Sequence, residues 1–179
     1  MSQLRSLRLQ LDPLAEQDGT FYCRLYTDPE VMRHIGKPLD SEAAQRSFAV
    51  VRRDARKAAP RRRQWVIREI QSLAPAGLLG LDCNEQRAEV GALILPTHQG
   101  RGFAAEAIAA VADYAFDALG LTQLHTRHDG GHAAAAALMR KLGFEPNPQT
   151  SARGPDNFWQ LSPEQWQACA YRRATAAPH

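Results

Sequence analysis

Lysine is scarce in this chain. Lys37, Lys57 and Lys141 are the only three, so arginine carries nearly all of the positive charge. The net charge of +3 over 179 residues is modest, and no function is read from it. Cysteine is as sparse. Cys23, Cys83 and Cys169 are odd in number and far apart, which argues against a disulfide framework and for thiols in a reducing compartment, the cytoplasm. No apolar run approaches the roughly 20 residues of a membrane span. Met1-Ser2-Gln3-Leu4-Arg5-Ser6 has no apolar core of a signal peptide. Two phosphate-binding signatures are missing as well: no glycine loop ends in Lys-Ser or Lys-Thr, and there is no G-x-G-x-x-G. A nucleoside-triphosphate loop and a dinucleotide fold therefore fit badly, the latter also because Leu119-Gly120-Leu121-Thr122 stands where an acidic ribose ligand would be.

What is present is a chain of single-domain length, read as one domain over 1–179 with a core of about residues 5–168. Leu7-Arg8-Leu9-Gln10-Leu11 alternates as a strand does. Asp12-Pro13 is a helix start, giving a helix to about Tyr26. Asp28-Pro29 starts a short second helix bearing Val31, Met32 and Ile35, and Asp40 a third through about Lys57. Strand patterns follow at Gln64–Ile70, Gly77–Leu81 and Arg87–Leu95, with turns at 72–76 and 84–86, so these strands form an antiparallel meander. A helix over 103–119, a strand over Thr122–Arg127, a helix over 132–142 and a strand over Asn157–Leu161 come next. Ser162-Pro163-Glu164 opens a C-terminal helix of about 163–174. Trp65, Trp159 and Trp166 have apolar neighbours and read as packing residues.

Between the strand ending at Leu95-Pro96 and the helix of Ala105–Ala112 lies Gln99-Gly100-Arg101-Gly102-Phe103-Ala104. A strand, a glycine loop and a helix start turn several N–H groups without helical partners toward one point, where the helix dipole adds positive potential. The glycines let the backbone approach an anion with no Cβ between. A phosphate or pyrophosphate suits such a place, although plain packing can also produce such a turn.

That segment matches the Q/R-x-x-G-x-G/A signature of the GCN5-related N-acetyltransferases, and the chain resembles that family over about residues 5–168. Ala88-Glu89-Val90-Gly91-Ala92 is similar to its fourth strand, and Lys141-Leu142-Gly143-Phe144 to the turn after its fourth helix. Leu7-Arg8-Leu9 with Asp28-Pro29-Glu30-Val31-Met32 resembles the subgroup acting on ribosomal-protein N-termini. The resemblance implies an α/β fold: a mixed, largely antiparallel twisted sheet flanked by helices, with a bulged and splayed strand pair forming a coenzyme cleft. It implies acetyl-coenzyme A as cosubstrate, its pyrophosphate on Gln99, Gly100, Arg101, Gly102, Phe103 and Ala104, its amide-bearing arm along Leu93, Ile94 and Leu95, and a further contact at His132. Arg101 points either to a phosphate or to solvent.

For chemistry, Glu89 stands where the family often places a carboxylate that acts directly or through water; otherwise it is a solvent-facing strand residue. His34 and His98 are the other candidate bases, histidine being the residue type suited to proton transfer near neutral pH. The family's coenzyme-contacting asparagine, a serine and a tyrosine acid are replaced here by His132, Ala135 and Met139. Met139 donates no proton, so a coenzyme-binding module with weak or lost catalysis is the alternative to an enzyme. His125, His128 and His132 have a spacing compatible with zinc, but no ligand beyond Asp129 supports it and no metal is expected. The basic cluster of Arg52, Arg53, Arg56, Lys57, Arg61, Arg62 and Arg63 has no interleaved aromatics, so nucleic acid is an unfavoured partner beside a solvated helix end. The acceptor is an amine, small or at a protein N-terminus; no membrane partner is expected, and a homodimer is compatible with the sequence.

Overall fold

In the computed structural model, which describes residues 2–128, 131–147 and 157–175, one eight-stranded sheet runs through the molecule. Its strands are β1 (Leu4–Arg5), β2 (Leu9–Pro13), β3 (Arg62–Glu69), β4 (Pro75–Asn84), β5 (Arg87–Ile94), β6 (Gln123–His128), β7 (Glu145–Asn147) and β8 (Asn157–Leu161), in the order β1-β2-β3-β4-β5-β6-β8-β7. Every neighbouring pair is antiparallel except β5 and β6. The fold class is therefore the expected one: mixed α/β, mostly antiparallel.

Alternation along β3 divides the core. Trp65 and Ile67 point to one face, joining Leu79, Leu81 and Val90 under α4 (Phe103–Asp113). Val66 points to the other and meets Leu78 and Leu93 beneath α1 (Gly19–Thr27) and α3 (Ser41–Ala55), which supply Tyr22, Leu25 and Val51. All three tryptophans are buried. Helix starts follow the capping signals: Asp28 accepts from Glu30 and Val31 N–H at α2 (Pro29–Met32), Asp40 from Ala43, and Ser162 from Gln165 at α6 (Pro163–Ala168).

Four expectations are corrected. Pro13 does not start a helix; it ends β2 opposite Trp65, and the chain turns helical only at Glu16. Asp12 is drawn instead to Arg68 at 3.1 Å, a contact 56 residues distant in sequence that outweighs the local cap signal. Pro75 belongs to a strand, not a turn, because the register of β3 and β4 shifts between Ile67 and Arg68 and lets a proline in at the irregularity. The bulge expected in β5 is absent, since β4 and β5 pair without interruption from Gly77–Ile94 to Asn84–Arg87. The C-terminal helix is broken at Cys169, whose backbone is extended, into α6 and α7 (Ala170–Thr175).

Candidate active site

The expected splay is present. Parallel pairing of β5 with β6 stops after Arg87–Gln123, Ala88–Leu124 and Glu89–His125, and beyond Glu89 the two strands part. Leu95 N–H donates to Ala76 C=O on the β4 side. Alternation then turns the peptide groups of Leu93 and Gly91 toward β4, and those of Val90, Ala92 and Ile94 toward the opening. Gln99 Nε2 donates to Ile94 C=O at 3.1 Å, in agreement with this. Of the three residues expected to hold an amide-bearing arm, only Ile94 presents its backbone to the gap; Val90 and Ala92 join it.

The opening is a cleft of about 650 Å³. Its end wall is the glycine loop. Gly100 and Gly102 have φ of +72° and +81°, where a side chain is strained, and Gly102 serves as the N-cap of α4 with no side chain capping the first turn. The N–H groups of Phe103, Ala104 and Ala105 are thus left for a ligand. Gly100, Gly102, Phe103 and Ala104 line the cleft, as do Arg33, Arg127 and Lys141 against, among the described residues, the one acid Glu30. Uncapped donors and surplus positive charge fit a polyphosphate.

Arg101 is turned away from the cleft. Its guanidinium pairs with Glu69 and lies 4.4 Å from the centre of the Phe103 ring. Arg8 supports the loop from behind, donating from Nη2 to Arg101 C=O at 3.1 Å. Arg8 is itself held by Glu106 in the first turn of α4, which accepts from Ser6 Oγ, Arg8 N–H and Arg8 Nε at 2.6, 2.7 and 2.8 Å. Burial opposes the charge on Glu106, but these donors outweigh it and hold the carboxyl below its usual range. Neither Arg8 nor Glu106 was singled out from the sequence.

The opposite wall is α5 (Ala133–Lys141). His132 precedes it and stacks on His34, ring centroids 4.1 Å apart, so the two histidines meet across the cleft. Ala135 and Met139 line the cleft, and Met139 is buried. His98 sits in the short turn of Pro96–His98, with Nδ1 2.9 Å from Thr97 Oγ1 and its ring tilted against Phe103. The three spaced histidines do not converge. His125 stacks on Phe158 and faces Glu89, whereas His128 stacks on Trp159. Among the described residues no cluster of three ligands could hold a metal; Asp129 lies outside them. Five of the seven basic residues of the cluster have an acidic partner, though three carboxylates leave it net positive: Glu16 lies near Arg52 and Arg56, Asp54 holds Lys57, and Asp82 takes Arg61 and Arg62.

A second cavity of about 380 Å³ adjoins the first, and Gly91, Ala92 and Leu93 line both. Tyr22, Tyr26, Ser47 and Gln64 form its walls, and Glu89 lines it at 3.8 Å from His125 Nε2. Burial raises the Tyr26 phenol well above its usual value, so it remains a protonated donor.

A strand edge with free peptide groups, ending at a phosphate-accepting helix and meeting a second cavity that carries a carboxylate, suits group transfer from a phosphate-tailed carrier. Residues 8–145 match the model of the acetyltransferase (GNAT) domain, and the chain belongs to that family of N-acetyltransferases, which draw on an acyl-coenzyme A. It is 29% identical over 146 residues to YoaA of Bacillus subtilis strain 168, described as an uncharacterized N-acetyltransferase, covering 79% of this chain and 82% of that one. Among solved structures it is similar to an acetyltransferase from Agrobacterium tumefaciens C58, with 26% identity, a TM-score of 0.78 and 90% and 94% of the two chains covered. The spermidine N-acetyltransferase of Vibrio cholerae, solved with CoA and spermine, shares the fold at 22% identity and a TM-score of 0.76, over 89% and 98% of the chains. No helix among the described residues is long and apolar enough to cross a membrane.

Proposed function

We propose that this chain moves the acetyl group of acetyl-coenzyme A to a primary amine, by direct attack in a ternary complex. The observation carrying this reading is the uncapped start of α4, which opens into the same cleft as the unpaired edge of β5. The pyrophosphate sits on the N–H groups from Gly100 to Ala104, with Gln99 fixing the strand end. The amide-bearing arm follows the β5 edge over residues 92–95, meeting the peptide groups of Ala92 and Ile94, and His132 borders it from the start of α5. The amine enters by the second cavity, and the two substrates meet at Gly91–Leu93, common to both.

At that point the amine nitrogen forms the C–N bond, the C–S bond breaks, and the nitrogen gives up a proton. Glu89 is the base for it, directly or through water. Met139, where the family's tyrosine acid would stand, has no proton to give, so the thiolate is protonated by solvent. The acceptor is a small-molecule amine or a protein N-terminus. The pattern around Leu7-Arg8-Leu9 and Asp28–Met32 supports the latter through its resemblance to the ribosomal-protein subgroup.

Calorimetry with acetyl-coenzyme A tests the reading. Micromolar binding by the native chain, abolished in Gly102→Glu, is expected; the substitution puts a carboxylate and a strained φ where the phosphates rest. A native chain that binds no acetyl-coenzyme A refutes it.

A further inference from the structure

Two strand-interior glycines face each other in the β4–β5 hairpin. Gly80 pairs with Gly91, and Gln64 of β3 lies opposite Gly80. Direct cross-strand partners share a face of the sheet. The row Gln64–Gly80–Gly91 therefore lies on the side covered by α1 and α3, between the apolar row Val66–Leu78–Leu93 and the charged row Arg62–Asp82–Glu89. Two side chains are missing from the middle of that face, and the gap is the trough of about 380 Å³. Neither glycine has a left-handed φ, so the backbone does not demand glycine at either position. A Cβ on Gly91 would meet nothing within 4 Å, and one on Gly80 would touch only the Gln64 side chain, at 3.7 Å. Packing does not demand them either. Glycine inside a strand weakens it; here its effect is to keep a floor clear beneath Tyr22 and Tyr26.

The charges at the outer end of the trough are unequal. Asp82 is balanced by Arg61 at 2.7 Å and Arg62 at 3.4 Å. Among the described residues Glu89 has only His125 as a charged partner, at 3.8 Å, and burial pushes that imidazole below its ordinary value, which weakens it as a counter-charge. Arg87 shares the face of Glu89 but stands outside the trough lining. Arg63 borders the trough too, but its guanidinium is held on Pro60 C=O and Cys83 Sγ, so among the described residues two carboxylates, Asp82 and Glu89, face the single guanidinium of Arg62. The excess of carboxylate over guanidinium attracts an ammonium and disfavours a second carboxylate beside it.

We propose that the trough selects acceptors that carry no carboxylate on the carbon bearing the reacting nitrogen. It admits alkylamines, amino-acid amides and peptide-linked amino groups, and it refuses free α-amino acids. Gly80, outside the coenzyme cleft, is a residue that determines this access by holding the floor open. The inference rests on the acetyl-transfer reading and deepens it.

Alaninamide and alanine test it, because they share a skeleton and differ in the charge beside the amine. With the full chain and saturating acetyl-coenzyme A, and rates corrected for the fraction of free amine, kcat/KM for alaninamide is expected to exceed that for alanine by about tenfold or more. Gly80→Val is expected to raise the KM for alaninamide about tenfold. Its acetyl-coenzyme A affinity and melting temperature should stay native, and Gly80→Ala should lie between. Equal use of the two acceptors overturns the proposal. So does an unchanged KM in a folded Gly80→Val chain, or failure to acetylate alaninamide by a chain that binds acetyl-coenzyme A. Failure to bind acetyl-coenzyme A at all is the separate failure of the underlying reading.

Discussion

Replacing Glu106 by glutamine tests whether the N-terminal hairpin sets the shape of the phosphate loop. The carboxylate is buried and accepts from Ser6, Arg8 N–H and Arg8 Nε, with Arg8 Nη2 also 2.8 Å away. Hydrogen bonds to a charged group contribute about 1.5–3 kcal/mol each, and breaking a buried ion pair costs about 3–5 kcal/mol. The Arg8 side chain is 46% exposed, which weakens its part through solvent screening, and glutamine keeps one acceptor oxygen. The net loss is therefore about 2–3 kcal/mol, or roughly 5–10 °C in Tm for a chain of this length. The sign with pH is fixed. Because the folded carboxyl is held below its usual range, its stabilising effect is complete above the unfolded value and disappears as pH falls through the folded one. Native and mutant melting curves should converge in acid. Arg8, released from Glu106, should also lose its grip on Arg101 C=O, raising the Kd for acetyl-coenzyme A about tenfold at temperatures where the mutant is folded, a shift of about 1.4 kcal/mol. A mutant that melts early but binds acetyl-coenzyme A normally would refute the coupling of hairpin to loop. An unchanged melting temperature would refute the energetic reasoning itself.

Glu89→Gln should lower kcat by about two orders of magnitude while leaving acetyl-coenzyme A affinity native; steady-state kinetics beside calorimetry separates the two, and a native kcat removes Glu89 as the base. Gly77→Ala should destabilise the chain by about 3 kcal/mol or more, because its Cβ would come within 2.1 Å of Leu93 C=O across the β4–β5 ladder. Urea unfolding midpoints measure this, and a native midpoint would show that the two strands have room to shift.

The glycine loop was legible because its conformation is local: two left-handed glycines and a helix start lie within six residues. The strands of the meander were legible for the same reason, through alternation. What escaped depends on partners far along the chain. Asp12-Pro13 carries a sound helix-start signal, and only the arrival of Arg68 and the pairing of Pro13 with Trp65 override it. Strands β1 and β7 are two and three residues long, too short for a period. The splay of β5 was inferred from resemblance, and the structure places the free peptide groups one residue out of phase with Leu93 and Leu95. The trough was missed because Tyr22, Gln64 and Gly80 come from three separate elements. One signal was available: a turn between Asn84 and Arg87 pairs residues symmetrically about itself and so sets Gly80 against Gly91. Two strand-interior glycines in register mark a vacancy.

The parting of β5 from β6 also bears on solubility. A strand edge with unsatisfied peptide groups is normally a hazard, since a neighbouring molecule can add its own strand there. In this sheet that edge lies between two strands of the same sheet, facing β6, and opens into a cleft lined by residues of α4 and α5. The fold keeps the adhesive property of an edge and turns it from the rim of the sheet into a cleft within it.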